Sequence, residues 1–128
     1  MSNEEKEIIA IYAQIIVSAI SIIEIIVSIL LLYNEKLEIK GEKTLFTANQ
    51  TQKISVFNRT SILTTAIIFL IINYFLYKIS KDQGENLKPY ELQIIASYLT
   101  IIAAIITLYI VLNPTNEGQI ADVENPIV

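Results

Sequence analysis

Three long apolar segments constrain this chain more than any other feature of its sequence. They cover residues 8–33, 61–79 and 92–112. As helices rising about 1.5 Å per residue, all three are long enough to cross a hydrocarbon core of about 30 Å. Hydrophobic residues fill 53% of the positions and charged residues only 17%, against about a quarter charged in soluble domains. The sequence therefore predicts an all-α membrane protein with three transmembrane helices.

Residues 34–60, which connect the first two segments, allow two interpretations. Residues 37–39 and 54–56 alternate between apolar and polar side chains, as two short strands would. Gly41, placed as the residue just after a helix end, instead favours a helix that continues past the first segment. Thr47 and Gln50 have the spacing of a capping box, which favours a second helix starting there. We favour this helical hairpin, which would extend helices 1 and 2 outside the membrane with a break near residues 41–46.

The boundary signals of the other segments are clearer. Ser2 and Glu5 have capping-box spacing ahead of the first segment. Pro89 suits the first turn of the third helix, and Pro114 cannot continue it. We therefore divide the chain into a transmembrane domain, residues 1–112, and an acidic C-terminal tail, residues 113–128.

The side chains most often used in catalysis are missing from this composition. The chain contains no Cys and no His, so it lacks the thiolate nucleophile, the commonest general base and the commonest metal ligand. We therefore expect no enzyme, no metal site and no cofactor. The formal net charge of −4 likewise argues against a nucleic-acid partner.

Small polar residues recur at helical spacing in the first and third segments. At about 100° per residue, each set falls on one face of its helix. In lipid such a face packs against another helix, so we interpret the two sets as helix-packing stripes; the alternative is that they line a water-filled path. The stripes consist of Gln14, Ser18, Ser21, Glu24 and Ser28 in the first segment, and Gln93, Ser97, Thr100, Ala104 and Thr107 in the third.

Glu24 is the one charged residue deep inside a predicted span, about 13 Å from its end. Residues at a similar distance from the same membrane surface should lie side by side, and we call this comparison depth matching. It places Thr107 and Thr65 beside Glu24 as a candidate intramembrane polar site. No Lys or Arg in a predicted span lies near the depth of Glu24, so we expect a neutral Glu24 that hydrogen-bonds across a helix contact. The functional alternative is a carboxylate that binds a proton or cation. Depth matching also predicts a second polar layer of Gln14, Asn73 and Ser97.

The expected environment is a lipid bilayer crossed three times. The high content of Ile, Asn and Lys is typical of AT-rich genomes, so we expect the plasma membrane of a bacterium. Four basic residues fall on one side of the predicted spans and five on the other, and the positive-inside rule therefore selects no orientation. We expect a non-catalytic membrane subunit or interaction protein that contacts a second copy or another membrane protein. The alternative is an oligomeric transporter or channel that uses Glu24.

Overall fold

The structure, a computed structural model, describes residues 1–113. This part of the chain consists of three helices joined by two short turns. They are α1 (Asn3–Ile39), α2 (Ala48–Asp82) and α3 (Lys88–Leu112). All three are long and apolar enough to cross a membrane. The all-helical class and the three candidate membrane-spanning helices are thus confirmed, as in a multi-pass membrane protein. The predicted acidic tail, apart from Asn113, lies outside the described residues.

Local capping signals define where the helices begin. The Ser2 side chain accepts a hydrogen bond from the backbone N–H of Glu5 at 3.2 Å. Thr47 and Gln50 form a reciprocal capping box at the start of α2, with bonds of 3.2 and 3.0 Å. Pro89 occupies the first turn of α3, where its missing N–H costs no helical bond.

Glycines end the first two helices in the same way. Gly41 and Gly84 have φ values of +71° and +70°, a left-handed conformation that glycine adopts without steric cost. The N–H of Glu42 donates to Leu37 O at 2.9 Å, and that of Gly41 donates to Glu38 O at 3.1 Å. This pattern is a Schellman motif. Residues 34–39 and 48–60 are accordingly helical, and no strand occurs anywhere in residues 1–113.

The central helix is α2, which packs along α1 on one side and along α3 on the other. The interface between α1 and α2, here called the α1–α2 seam, has two halves of different chemistry. Near the chain's N-terminus it is apolar, with Ala10, Val17 and Ile72 buried together. Toward the turn of residues 40–47 it is polar, and buried hydroxyl and amide groups replace aliphatic side chains. The outer faces of α1 and α3 expose many Ile side chains, as lipid-facing surfaces do.

Asn34 joins the α1–α2 turn to both helices. Its Oδ1 accepts hydrogen bonds from the backbone N–H groups of Leu45 and Phe46, at 2.8 and 2.9 Å. Its Nδ2 donates to Thr51 Oγ1 at 3.3 Å. One buried side chain therefore fixes the path of the turn and the level at which α2 begins.

Polar contacts also set the level of α3 against α2. The Asn73 Nδ2 donates to Ser97 Oγ at 2.7 Å. Near the other end of this interface, Gln52 Nε2 donates to the carbonyl oxygen of Val111. The apolar length of α3 therefore lies beside α2 from about Gln52 onward, eight residues or so before the segment that hydropathy alone assigns to the membrane.

We predict that Asn34→Leu lowers the free energy of unfolding by about 1–3 kcal/mol, because two backbone donors of the turn lose their acceptor. Thr51→Val removes only the weaker bond and should cost about 1 kcal/mol or less. Unfolding by SDS titration in mixed micelles would measure both. Equal losses for the two variants would show that the turn does not depend on Asn34.

Candidate functional site

The carboxyl group of Glu24 is held by two hydroxyls of α2. Glu24 is only 5% exposed. Ser61 Oγ donates to its Oε2 in a short hydrogen bond, and Thr65 Oγ1 lies 3.2 Å from its Oε1. Ser61 and Thr65 are four residues apart, so they project from the same face of α2. The site is therefore built at the α1–α2 seam, where two successive turns of α2 meet one side chain of α1.

The two hydroxyls are not equivalent donors. Thr65 Oγ1 also lies 2.9 Å from the carbonyl oxygen of Ile62, inside its own helix. A hydroxyl carries one proton, so Thr65 shares that proton between Glu24 and the backbone. Ser61 is the principal donor to the carboxyl group.

Asn58 extends the polar contacts by one turn. Its Nδ2 donates to the backbone oxygen of Glu24 at 3.2 Å and to Ser28 Oγ at 3.1 Å. Asn58 and Ser28 are both buried. Asn58 of α2 thus binds both a backbone oxygen and a side-chain hydroxyl of α1. These two bonds leave little freedom for the helices to slide past each other.

Arg59 is the buried cation that sequence reasoning missed. It is only 1% exposed, and together with Glu24 it lines a cleft of about 220 Å³. The expectation that no basic residue lies near the depth of Glu24 is therefore wrong. Arg59 precedes Ser61 by two residues, about 3 Å along the helix axis. Hydropathy placed the start of the second span at residue 61, and this boundary left Arg59 outside.

The predicted partners of Glu24 are only partly assembled. Thr65 contacts the carboxyl group, whereas Thr107 is buried on α3 and donates to Ala104 O in its own helix at 3.1 Å. Ser61, which sequence analysis did not select, is the principal hydrogen-bond donor to Glu24. Matching residues by depth did not select Ser61, because it used the wrong start for the second span.

The second predicted layer is also partly assembled. Asn73 and Ser97 are hydrogen-bonded. Gln14 is half-buried on α1, and among the described residues it bonds to neither. Since α2 lies between α1 and α3, a layer shared by all three helices would need side chains that reach around α2.

The two stripes are buried unevenly. The buried members include Ser28, Ser97, Ala104 and Thr107. The half-buried members are Gln14 and Ser21, and the exposed members are Ser18, Gln93 and Thr100. Two of the exposed members, Gln93 and Thr100, border an open space between the helices. This space, here called the α1–α3 groove, combines the cleft of Glu24 and Arg59 with a second cleft of about 270 Å³. The two clefts share Ala66, Phe69 and Thr100.

The α1–α3 groove has a polar floor in an otherwise aliphatic surface. The second cleft contains Asn73, Gln93 and Ser97, and the first contains Ser21, Ser28 and Thr65 besides its two charged residues. Lipid chains offer no hydrogen bonds to such groups. The groove is therefore suited to a helix that presents small and polar side chains, or to water.

Comparisons with known proteins leave the function to be argued from these contacts. No protein-family model, no curated protein and no solved structure matches the chain. The observations that bear on function are accordingly the polar seam, the buried charges and the groove between α1 and α3.

We predict that Glu24 and Ser61 are energetically coupled by about 1 kcal/mol, the scale of interhelical hydrogen bonds in membranes. A double-mutant cycle of Glu24→Leu with Ser61→Ala, followed by SDS unfolding, would measure this coupling. Thr64 is the matched control, because its hydroxyl donates to Thr60 O in its own helix at 2.9 Å. The cycle of Glu24→Leu with Thr64→Ala should give a coupling near zero. Equal couplings would contradict the assignment of Ser61 as principal donor.

Proposed function

We propose that this chain is a non-catalytic integral membrane protein that works through helix contacts, with a second copy or another membrane protein seated in the α1–α3 groove. The observation that carries the proposal is the exposure of Thr100 and Gln93 beside a polar floor. Polar side chains in lipid are stabilised when a neighbouring helix supplies hydrogen bonds and close packing. The localisation we propose is a bacterial plasma membrane.

We further propose that the membrane boundary on the side of the α1–α2 turn lies near Lys53. Two helix contacts support this level. The apolar part of α1 ends at Tyr33, next to Asn34, which bonds Thr51. The apolar part of α3 ends at Leu112, next to Val111, which accepts from Gln52. The hairpin outside the membrane would then cover residues 34–52, shorter than hydropathy predicts.

Tyr33 supports the same boundary. Its ring is exposed, and the Lys36 ammonium lies 5.8 Å from its centre. Tyrosines and lysines with this arrangement are typical of the interface between hydrocarbon and headgroups. Arg59 would then lie six residues, or about 9 Å, below the boundary. Glu24 and Arg59 would both be inside the bilayer.

The occupancy of the groove is testable because the chain contains no Cys. We expect Thr100→Cys, placed at the edge of the groove, to form a disulfide-linked or bifunctionally crosslinked adduct in intact membranes. Ile102→Cys is the matched control: it is exposed and at the same depth, but two residues further on it faces about 160° away. Gel mobility and mass spectrometry would identify the adduct as a dimer or as a complex with another protein.

The crosslinking yields of the two variants distinguish a specific helix contact at the groove from random collision. Efficient crosslinking of Thr100→Cys with little from Ile102→Cys supports the proposal. Equal yields, or a higher yield for Ile102→Cys, would contradict it, since the groove would then face only lipid.

A transport function is the second candidate, and one observation favours it. Glu24 and Arg59 line the same cleft, and charged groups within a membrane commonly mark ion pathways or proton relays. In this proposal the α1–α3 groove would carry water in an oligomer, and the carboxyl group of Glu24 would bind and release the transported proton or cation.

For the transport proposal, Glu24→Gln should abolish proton flux in liposomes loaded with a pH-sensitive dye, while the helical circular-dichroism signal is retained. Glu42→Gln, which changes an exposed carboxyl group in the turn, should leave the flux unchanged. A wild-type protein without flux above that of empty liposomes would exclude this candidate and leave the interaction proposal in place.

A further inference from the structure

A second groove runs along the opposite side of the α1–α2 seam from the α1–α3 groove. It joins a cleft of about 430 Å³ to one of about 310 Å³, and the two share Ile20, Phe57 and Ser61. We call this surface the outer groove. It begins at Lys53 and ends at Ile68. Fifteen residues of helix correspond to about 22 Å, which exceeds the depth of about 15 Å of one leaflet's hydrocarbon.

The walls of the larger cleft are mainly aliphatic and aromatic, and hydroxyls of α2, those of Thr60, Ser61 and Thr64, line part of the smaller one. Ile20, Ile23 and Val27 line it from α1, and Ile54 and Phe57 line it from α2. Phe57 is 78% exposed, so its ring stands at the edge of the groove instead of filling it. A flexible hydrocarbon chain can follow such a wall.

The one cation of the larger cleft, Lys53, lies at its end, whereas the buried carboxyl group of Glu24 lies farther along it. Lys53 is exposed and lines the larger cleft, at the level where the apolar parts of α1 and α3 end. Lys36, Lys40 and Lys43 lie at the same end of the molecule, interleaved with Glu35, Glu38 and Glu42, so Lys53 is the cation that decides the charge at the groove. A basic residue at the headgroup level attracts anionic lipid by about 1 kcal/mol. An apolar channel that starts at such a cation has the chemistry of an anionic amphiphile.

We infer that the outer groove binds an anionic phospholipid, with its phosphate at the Lys53 ammonium and one acyl chain between α1 and α2. The lipid would cover the side of the seam opposite the α1–α3 groove. Its binding therefore does not depend on which protein occupies that groove. The inference requires only that the chain spans a bilayer and that Lys53 lies near its boundary.

The test uses the absence of Trp from the chain. Phe57→Trp puts a single indole at the edge of the outer groove. The variant is reconstituted into vesicles containing bromine-labelled phosphatidylglycerol or bromine-labelled phosphatidylcholine with the same chains, and quenching of the indole reports which lipid occupies the groove. We expect phosphatidylglycerol to bind about fivefold more strongly than phosphatidylcholine, the ratio that corresponds to about 1 kcal/mol.

Three further variants identify the groove and the cation. Ile29→Trp places the indole at the same level as Phe57 but on the other side of α1, where the residue is exposed to lipid, and it should show no preference between the lipids. In the Phe57→Trp background, Lys53→Gln should abolish most of the preference. Lys43→Gln, which changes a basic residue in the turn, should change it by less than twofold.

Several results would overturn the inference. Equal quenching by the two lipids in the Phe57→Trp variant would mean that the groove holds ordinary bulk lipid or a segment of protein. An equal preference in the Ile29→Trp variant would mean that the whole surface, and not the groove, attracts anionic lipid. A preference that survives Lys53→Gln would mean that the phosphate is bound elsewhere. Quenching by phosphatidylcholine, which requires only insertion, verifies in each variant that the protein is in the bilayer.

Discussion

The polar half of the α1–α2 seam is the interaction on which the rest of the structure depends. In lipid, two aliphatic helices gain little from one alignment over another, because acyl chains are as apolar as Ile or Leu. Hydrogen bonds are directional, and those of Asn34, Asn58 and Glu24 each require a particular partner level. They fix α1 against α2, and the position of α2 then determines where α3 and both grooves lie.

The features that the sequence predicts well are local. The three apolar segments, the capping box of Thr47 and Gln50, and the left-handed turn at Gly41 each depend on residues within one or two helical turns. Composition and spacing are sufficient for such features, because a helix satisfies its backbone hydrogen bonds internally wherever it packs. The helical course of residues 34–39 and 48–60 is predictable for the same reason.

The features that the sequence predicts poorly depend on the alignment of helices. Ser61 and Arg59 lie at the level of Glu24 only because α2 enters the bundle earlier than its hydropathy suggests, and hydropathy contains no information about pairing. Thr107 has the right spacing and burial, yet its hydroxyl bonds within α3. One signal was available in the sequence: the third apolar segment covers 21 residues, 92–112, and a second span of equal length that ends at Ile79 would begin at Arg59.

The short turn between α1 and α2 has a consequence for biosynthesis. With Glu24 and Arg59 both inside the bilayer, as we propose, each would be costly to transfer singly from the translocation channel into lipid. Because Asn34 ties the turn to the start of α2, and because Ser61, Thr65 and Asn58 follow soon after it in the chain, the polar groups of α1 meet their partners as soon as α2 is synthesised. The two helices are thus suited to leave the channel together as a preformed pair, with their polar groups already shielded from the acyl chains.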